Sequence, residues 1–232
     1  MNRIGLIIPS SNTTMEREFW ESLNGHATIH AGRVFLENVM VSELTAVEDE
    51  AVREARKLVT AGVDVLVYGC TSGSFVKGPQ QYSGIEEKLE KLGKPAVATS
   101  GAVIRALTHL GAGKISLITP YTRDITEVEK AFLAKHGFEV LSTFHASIVA
   151  NLDIGMVKDD EVAEWAMENT HPDADAVFIS CTNLSTFKAI KRIEENTGKP
   201  VVSSNSATLW NVLQKLNKKI ELPRLGMLFS AR

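Results

Sequence analysis

Only two cysteines, Cys70 and Cys181, occur in 232 residues. Neither belongs to a CxxC pair and no histidine stands at ligand spacing beside them, so the thiols by themselves offer no zinc site and no metal is indicated. Long apolar runs are missing too. Nothing approaches the roughly 20 residues that span a bilayer, and the run in "MNRIGLIIPSSN" is too short for a secretory signal core. The expectation is a cytoplasmic protein with no membrane association, in which two thiols would not form a structural disulfide. Surplus positive charge is absent: the formal net charge is −3 and no basic stripe appears, which argues against a nucleic-acid partner. Neither GxGxxG nor GxxxxGK occurs, so no nucleotide cofactor is indicated.

What remains is ordinary globular composition, 44% hydrophobic and 23% charged, arranged in strict alternation. "RIGLIIP" is a short continuous apolar run, as expected of a strand buried on both faces of a parallel sheet. A helix is expected at "TTMEREFWESL" and a second strand at "HAGRVFLENV". The clearest helix is "SELTAVEDEAVREARKLVTAG", which puts Leu44, Val47, Ala51, Ala55 and Leu58 on one face, with Ser42 as cap and Gly62 as stop. Strand "VDVLVYG", helix "GIEEKLEKLG", strand "KPAVATS" and helix "GAVIRALTHLG" follow. From "KISLITP" the series begins again, through helix "DITEVEKAFLAKHG", strand "FEVLSTFHAS", helix "DDEVAEWAMENT", strand "DAVFIS", helix "STFKAIKRIEENTG", strand "KPVVSSN" and helix "SATLWNVLQKLN". Such alternation predicts an α/β fold with mainly parallel sheets.

The second half repeats the first. Ile4, Leu6, Ile7 and Pro9 align with Ile115, Leu117, Ile118 and Pro120 at an offset that also relates Cys70 to Cys181. "GKP" recurs at Gly93 and Gly198. Two pseudo-symmetric α/β units, residues 1–112 and 113–232, would then meet with equivalent loops facing one cleft, and the C-terminal helix is expected to pack back on the first half.

Each cysteine would end a buried strand, where open parallel sheets bind ligands. The N–H groups of Thr71, Ser72 and Gly73, or of Thr182 and Asn183, would point at an anion there, and a following helix N-terminus would lower the thiol pKa. The competing reading is that both are ordinary buried cysteines; their matched context favours a reaction centre. In "IPSSNTTM", Ser10, Ser11, Asn12, Thr13 and Thr14 are either donors at the sheet edge or helix caps. "TPYTRD" offers the Tyr121 hydroxyl, which a structural role would explain equally well. Thr99, Ser100, Ser203, Ser204 and Asn205 are further edge donors or caps. The histidines, at 26, 30, 109, 136, 145 and 171, fall mostly in loops or on helix surfaces, and Trp20, Trp165 and Trp210 read as packing.

These residues resemble the aspartate/glutamate racemase superfamily, and "IGLIIPSSNTTMERE" is most similar to the opening motif of maleate cis-trans isomerases. The resemblance covers essentially the whole chain. It implies substrate-binding roles for Asn12, Tyr121 and Asn151, a nucleophilic Cys70 that adds to the alkene of maleate, and Cys181 as proton donor and acceptor. Thr71, Ser72 and Thr182 would join the carboxylate pocket. It also implies a small carboxylic or dicarboxylic acid substrate, no cofactor and a homodimer. One feature departs: "TSGSF" after Cys70 looks like arylmalonate decarboxylases, as does "PVVSSNSATLWN", although those enzymes carry glycine where this chain has Cys70. A two-cysteine racemase of a small amino or hydroxy acid is the main competing activity, and a non-catalytic dicarboxylate sensor is the alternative from another class.

Overall fold

The computed structural model describes residues 1–76 and 82–230. The first half runs β1 (Asn2–Pro9), α1 (Met15–Leu23), β2 (Ala27–Val34), α2 (Val41–Thr60), β3 (Val65–Tyr68), α3 (Thr71–Phe75), α4 (Tyr82–Glu90), β4 (Ala96–Ala98) and α5 (Thr99–His109). The second runs β5 (Lys114–Thr119), α6 (Arg123–Lys135), β6 (Glu139–His145), α7 (Asn151–Ile154), α8 (Asp159–Asn169), β7 (Ala176–Ile179), α9 (Ile190–Thr197), β8 (Val201–Ser203) and α10 (Ser204–Lys215). Two short 3-10 turns, Pro223–Leu225 and Met227–Phe229, close the described chain.

The strands form two four-stranded sheets, in the orders β2-β1-β3-β4 and β6-β5-β7-β8, and the pairings within them are parallel. The central strands are apolar on both faces because helices cover both: Ile4, Leu6, Ile7 and Ile8 of β1 and all of β3 are buried, as are Ile115, Leu117 and Ile118 of β5 and all of β7. In each sheet the chain winds outward to one side of its first strand and then returns to the other. The crevice opens where that direction switches, at the carboxyl ends of β1 and β3 and of β5 and β7. Those four ends carry Asn12, Cys70, Tyr121 and Cys181.

Helix α2 buries the five residues expected on its inner face, each large one contributing about 1.5–3 kcal/mol of hydrophobic stabilisation. Gly62, at φ +69°, turns the chain out of it in the left-handed conformation that glycine adopts without strain. The expected start is corrected: Met40 is the cap and Ser42 lies within the first turn. Strand β2 likewise lies earlier than expected, because residues 37–39 leave the sheet to pair with 149–151 of the other half. Helix α9 begins only at Ile190, since the stretch after Cys181 is used in loop contacts rather than in a helical ladder. Trp20 is also corrected: it is 58% exposed and covers no core, whereas Trp165 and Trp210 are partly buried against Phe144 and His109.

Polar contacts knit the halves together. Helix α10 packs on α5, with Thr208 Oγ1 donating to Thr99 Oγ1 at 3.1 Å and Arg105 Nε to Asn211 Oδ1 at 3.0 Å. Its start is a capping box between Ser203 and Ser206. Glu18 of α1 reaches into the second half, accepting from the N–H groups of Thr186 and Phe187 at 2.7 and 2.9 Å and from Asn205 Nδ2 at 2.6 Å. Burial pushes its carboxyl up to about 7 against those three donors.

Candidate active site

Cys70 caps α3 at the end of β3, and Cys181 follows β7. Both are nearly covered, at 3% and 4% exposure. The turns that carry them meet, since Ser204 Oγ accepts from both Thr71 Oγ1 and the Cys181 N–H and Thr182 Oγ1 donates to the Gly69 carbonyl, and a charge on Cys70 raises the pKa of Cys181. Cys181 takes φ +102°, a conformation costing on the order of 1–3 kcal/mol for a residue with a side chain. Its N–H is held by Ser204 Oγ at 3.0 Å, and its sulfur accepts from the N–H of Asn183 at 3.4 Å.

The expected acidification of the thiols is overturned. Burial pushes Cys70 up, against opposing help from the Gly73 N–H, Ser72 and Tyr68. Burial takes Cys181 up to about 12, opposed by the Asn183 N–H and Tyr121 and reinforced by the nearness of Cys70. Desolvation of a sulfur anion outweighs a few N–H dipoles here, because α3 is a single short turn and no helix begins directly after Cys181.

The remaining expected residues are buried around the same crevice. Asn12 Oδ1 accepts from the N–H groups of Thr14 and Met15, capping α1, while Nδ2 donates to Thr182 Oγ1 at 3.1 Å. Thr182 Oγ1 donates to the Gly69 carbonyl beside Cys70, and Thr71 Oγ1 donates to Ser204 Oγ at 2.9 Å. These hydroxyl protons therefore tie one half to the other. Asn151 Nδ2 donates to Ser11 Oγ at 2.8 Å, and Ser11 in turn donates to the Leu36 carbonyl. Tyr121 is buried beside Cys181 and Ser180, and burial holds its phenol well above the ordinary range, so it stays a neutral donor.

Several side chains enter unannounced, among them that of Asn183, of which only the N–H was expected at the site. Asn183 connects three loops: its Oδ1 accepts from the Thr13 N–H at 2.8 Å and its Nδ2 donates to the Asn151 carbonyl at 2.6 Å. Glu129 accepts from Ser180 Oγ at 2.6 Å, and burial pushes its carboxyl up to about 8. Tyr68 is buried next to Cys70. Of these only Tyr68 left a signal in the sequence, because residues two apart in an extended run share a face.

Doubled parallel sheets with a cysteine at each switch point define the aspartate/glutamate racemase-like class of enzymes. Within it, the family model described as arylmalonate decarboxylase matches residues 4–229, and the chain belongs to that family. The chain is 32% identical over 245 residues to maleate isomerase of Geobacillus stearothermophilus, covering 99% of this chain and 98% of that relative. Its fold superimposes with a TM-score of 0.96 and 28% identity on a cysteine-to-alanine variant of the maleate isomerase Iso from Pseudomonas putida S16 with maleate, covering 99% of this chain and 98% of that one. A cysteine-to-serine variant of Nocardia farcinica maleate cis-trans isomerase with a covalently bound succinylcysteine intermediate matches with a TM-score of 0.92 at 26% identity, covering 98% of each chain.

Proposed function

We propose that this protein is a maleate cis-trans isomerase working through a cysteine adduct. The observation that carries the reading is that the buried Cys70 and Cys181 turns, one from each half, meet through Thr182 Oγ1 on the Gly69 carbonyl and through Ser204 Oγ, which accepts from both Thr71 Oγ1 and the Cys181 N–H. The names of its full-length relatives support the same reaction.

In this reading the Cys70 thiolate adds to one alkene carbon of maleate. A carbon–sulfur bond forms, and the π pair moves onto the other carbon and into its carboxylate. Cys181, kept protonated by its high pKa, delivers a proton to that carbon and leaves a succinyl thioether on Cys70. The former double bond is now single and turns. Return of the proton to Cys181 re-forms the double bond, expels the Cys70 thiolate and releases fumarate. Atoms and electrons balance without a redox step, so the reading needs no cofactor. Asn12, Tyr121, Asn151, Thr71, Ser72 and Thr182 are assigned to the two carboxylates; each amide nitrogen of Asn12 and Asn151 carries a second proton beyond the one described above.

The proposal extends to the two halves, 1–112 and 113–232, as the units that supply one thiol each, and to a cytoplasmic homodimer. Among the described residues no helix is long and apolar enough to cross a membrane. Supporting the dimer, Phe35, Met40 and Val41 are exposed beside Val149, Leu152 and Met156, the two segments being joined by the Asn38–Ala150 bridge. Light scattering at micromolar concentration should return twice the chain mass.

The activity itself is tested by incubating the protein with maleate in D2O and following the vinyl protons by NMR, with Cys70→Ala alongside. Fumarate forming only with the intact protein is the expected result. Unchanged maleate would overturn the reading and direct the search to deuterium entering the α-position of amino, hydroxy and aryl-substituted acids.

A further inference from the structure

We propose that the Tyr68 phenol is a positioning residue for Cys70, donating its hydroxyl proton to the sulfur when the sulfur carries negative charge. The assignment rests on Cys70 being the reacting thiol. It starts from the strand: Cys70 has extended backbone, φ −141° and ψ 106°, so residues 68 and 70 project to the same side of the β3 end. Tyr68 is 1% exposed, and its hydroxyl has no well-formed hydrogen bond among the described residues. A buried hydroxyl left unpaired is destabilising, and an orphan of this kind calls for a physical explanation.

Gly73 supplies one. A side-chain carbon there would lie 2.6 Å from the Tyr68 hydroxyl and 2.9 Å from the Cys70 sulfur, so both atoms converge on a backbone position that only glycine leaves open. The phenol and the sulfur thus share a pocket that any larger residue would divide. The other titratable groups around the pair come from different elements. Glu48 of α2, ion-paired with Lys88 of α4 at 2.5 Å, acts on the phenol, and Cys181 couples to Cys70 from the second half. Negative charge on Glu48 or Cys70 and burial all favour the protonated phenol, so Tyr68 remains a donor throughout the working pH range.

The arrangement suits a sulfur that must be an anion twice in each turnover, once as nucleophile and once as leaving group. It also gives each thiol its own phenol. Tyr121 reaches Cys181 from the loop after β5, whereas Tyr68 reaches Cys70 from β3 itself, so the two phenols are not related by the internal repeat.

The test is Tyr68→Phe, which keeps the ring and removes only the oxygen. In a Cys181→Ala background, the rate of Cys70 alkylation by iodoacetamide is followed against pH by peptide mass spectrometry. The expected result is a midpoint raised by about one pH unit, which is about tenfold in thiolate population. In the otherwise intact enzyme kcat should fall about tenfold with KM for maleate changed less than about twofold, because the contact strengthens as charge develops on sulfur. Gly73→Ala, which forces the phenol and sulfur apart, should raise the alkylation midpoint in the same direction. An unchanged midpoint in both variants would overturn the assignment. The alkylation needs no maleate, so a shifted midpoint in a protein that leaves maleate untouched would uphold the Tyr68 contact and sink the isomerase reading instead.

Discussion

Asn12 Nδ2 donates to Thr182 Oγ1 at 3.1 Å across the join of the two halves, and the same threonine donates to the carbonyl of Gly69, the residue before Cys70. The loop after β1, the loop after β7 and the cysteine turn after β3 are thereby locked by one threonine. Removing either partner leaves a buried polar group unpaired. Asn12→Ala, which also strips the α1 cap, should cost about 2–3 kcal/mol, and Thr182→Val about 1–3 kcal/mol. In urea denaturation the double variant should lose less than the two single losses added together. Simple additivity would show that the pair is not coupled.

The thiols carry distinct demands. Cys70→Ala should abolish maleate turnover, having lost the nucleophile. Cys181→Ser should turn over at trace level only, and intact-mass analysis after incubation with maleate should find one maleic acid added covalently at Cys70. Near-normal turnover in either variant would rule out a two-cysteine mechanism.

How turnover responds to pH follows from the direction of the two shifts. Burial raises Cys70, so its reactive anion is a minority at neutral pH, while Cys181 near 12 keeps the proton that it must deliver. The rate constant kcat/KM should therefore climb with pH from neutrality past the ordinary cysteine value of about 8.5. Initial rates across that range decide the matter. A plateau already reached near pH 6 would mean that the thiol is acidified and that burial is not the dominant influence.

The doubled architecture was legible because it rests on patterns that repeat: apolar runs for strands buried on both faces, a matched offset for the cysteines, and glycines such as Gly62 at helix ends. Site chemistry was less so. Asn12 reads equally well as cap or ligand group in one dimension, and in the fold its oxygen caps α1 while its nitrogen crosses the join. The thiol pKa depends on how fully the second half covers Cys70, which no local motif records. Trp20 misled because a helical position says nothing about which face finds a neighbour, and Glu129 passed unseen because a glutamate between Glu127 and Lys130 in "TEVEKAF" looks like a solvated charge.

Glu129 supplies the last prediction. Its Oε1 accepts from Ser180, but Oε2 is buried without a partner among the described residues, and burial raises the carboxyl from 4.5 to about 8. The native protein therefore holds this proton at pH values where the unfolded chain has released it. Stability contributed by the neutral form is complete below about pH 4.5, falls as pH rises, and is lost by about pH 8. A shift of this size corresponds to several kcal/mol. Glu129→Gln cannot ionise and should escape that loss. Thermal unfolding at about pH 5 should give similar midpoints for the two proteins, and at about pH 9 the variant should melt several degrees higher. Glu18 titrates in both proteins and cancels from the difference. Equal offsets at the two pH values would mean that the Glu129 carboxyl is not held neutral by the fold.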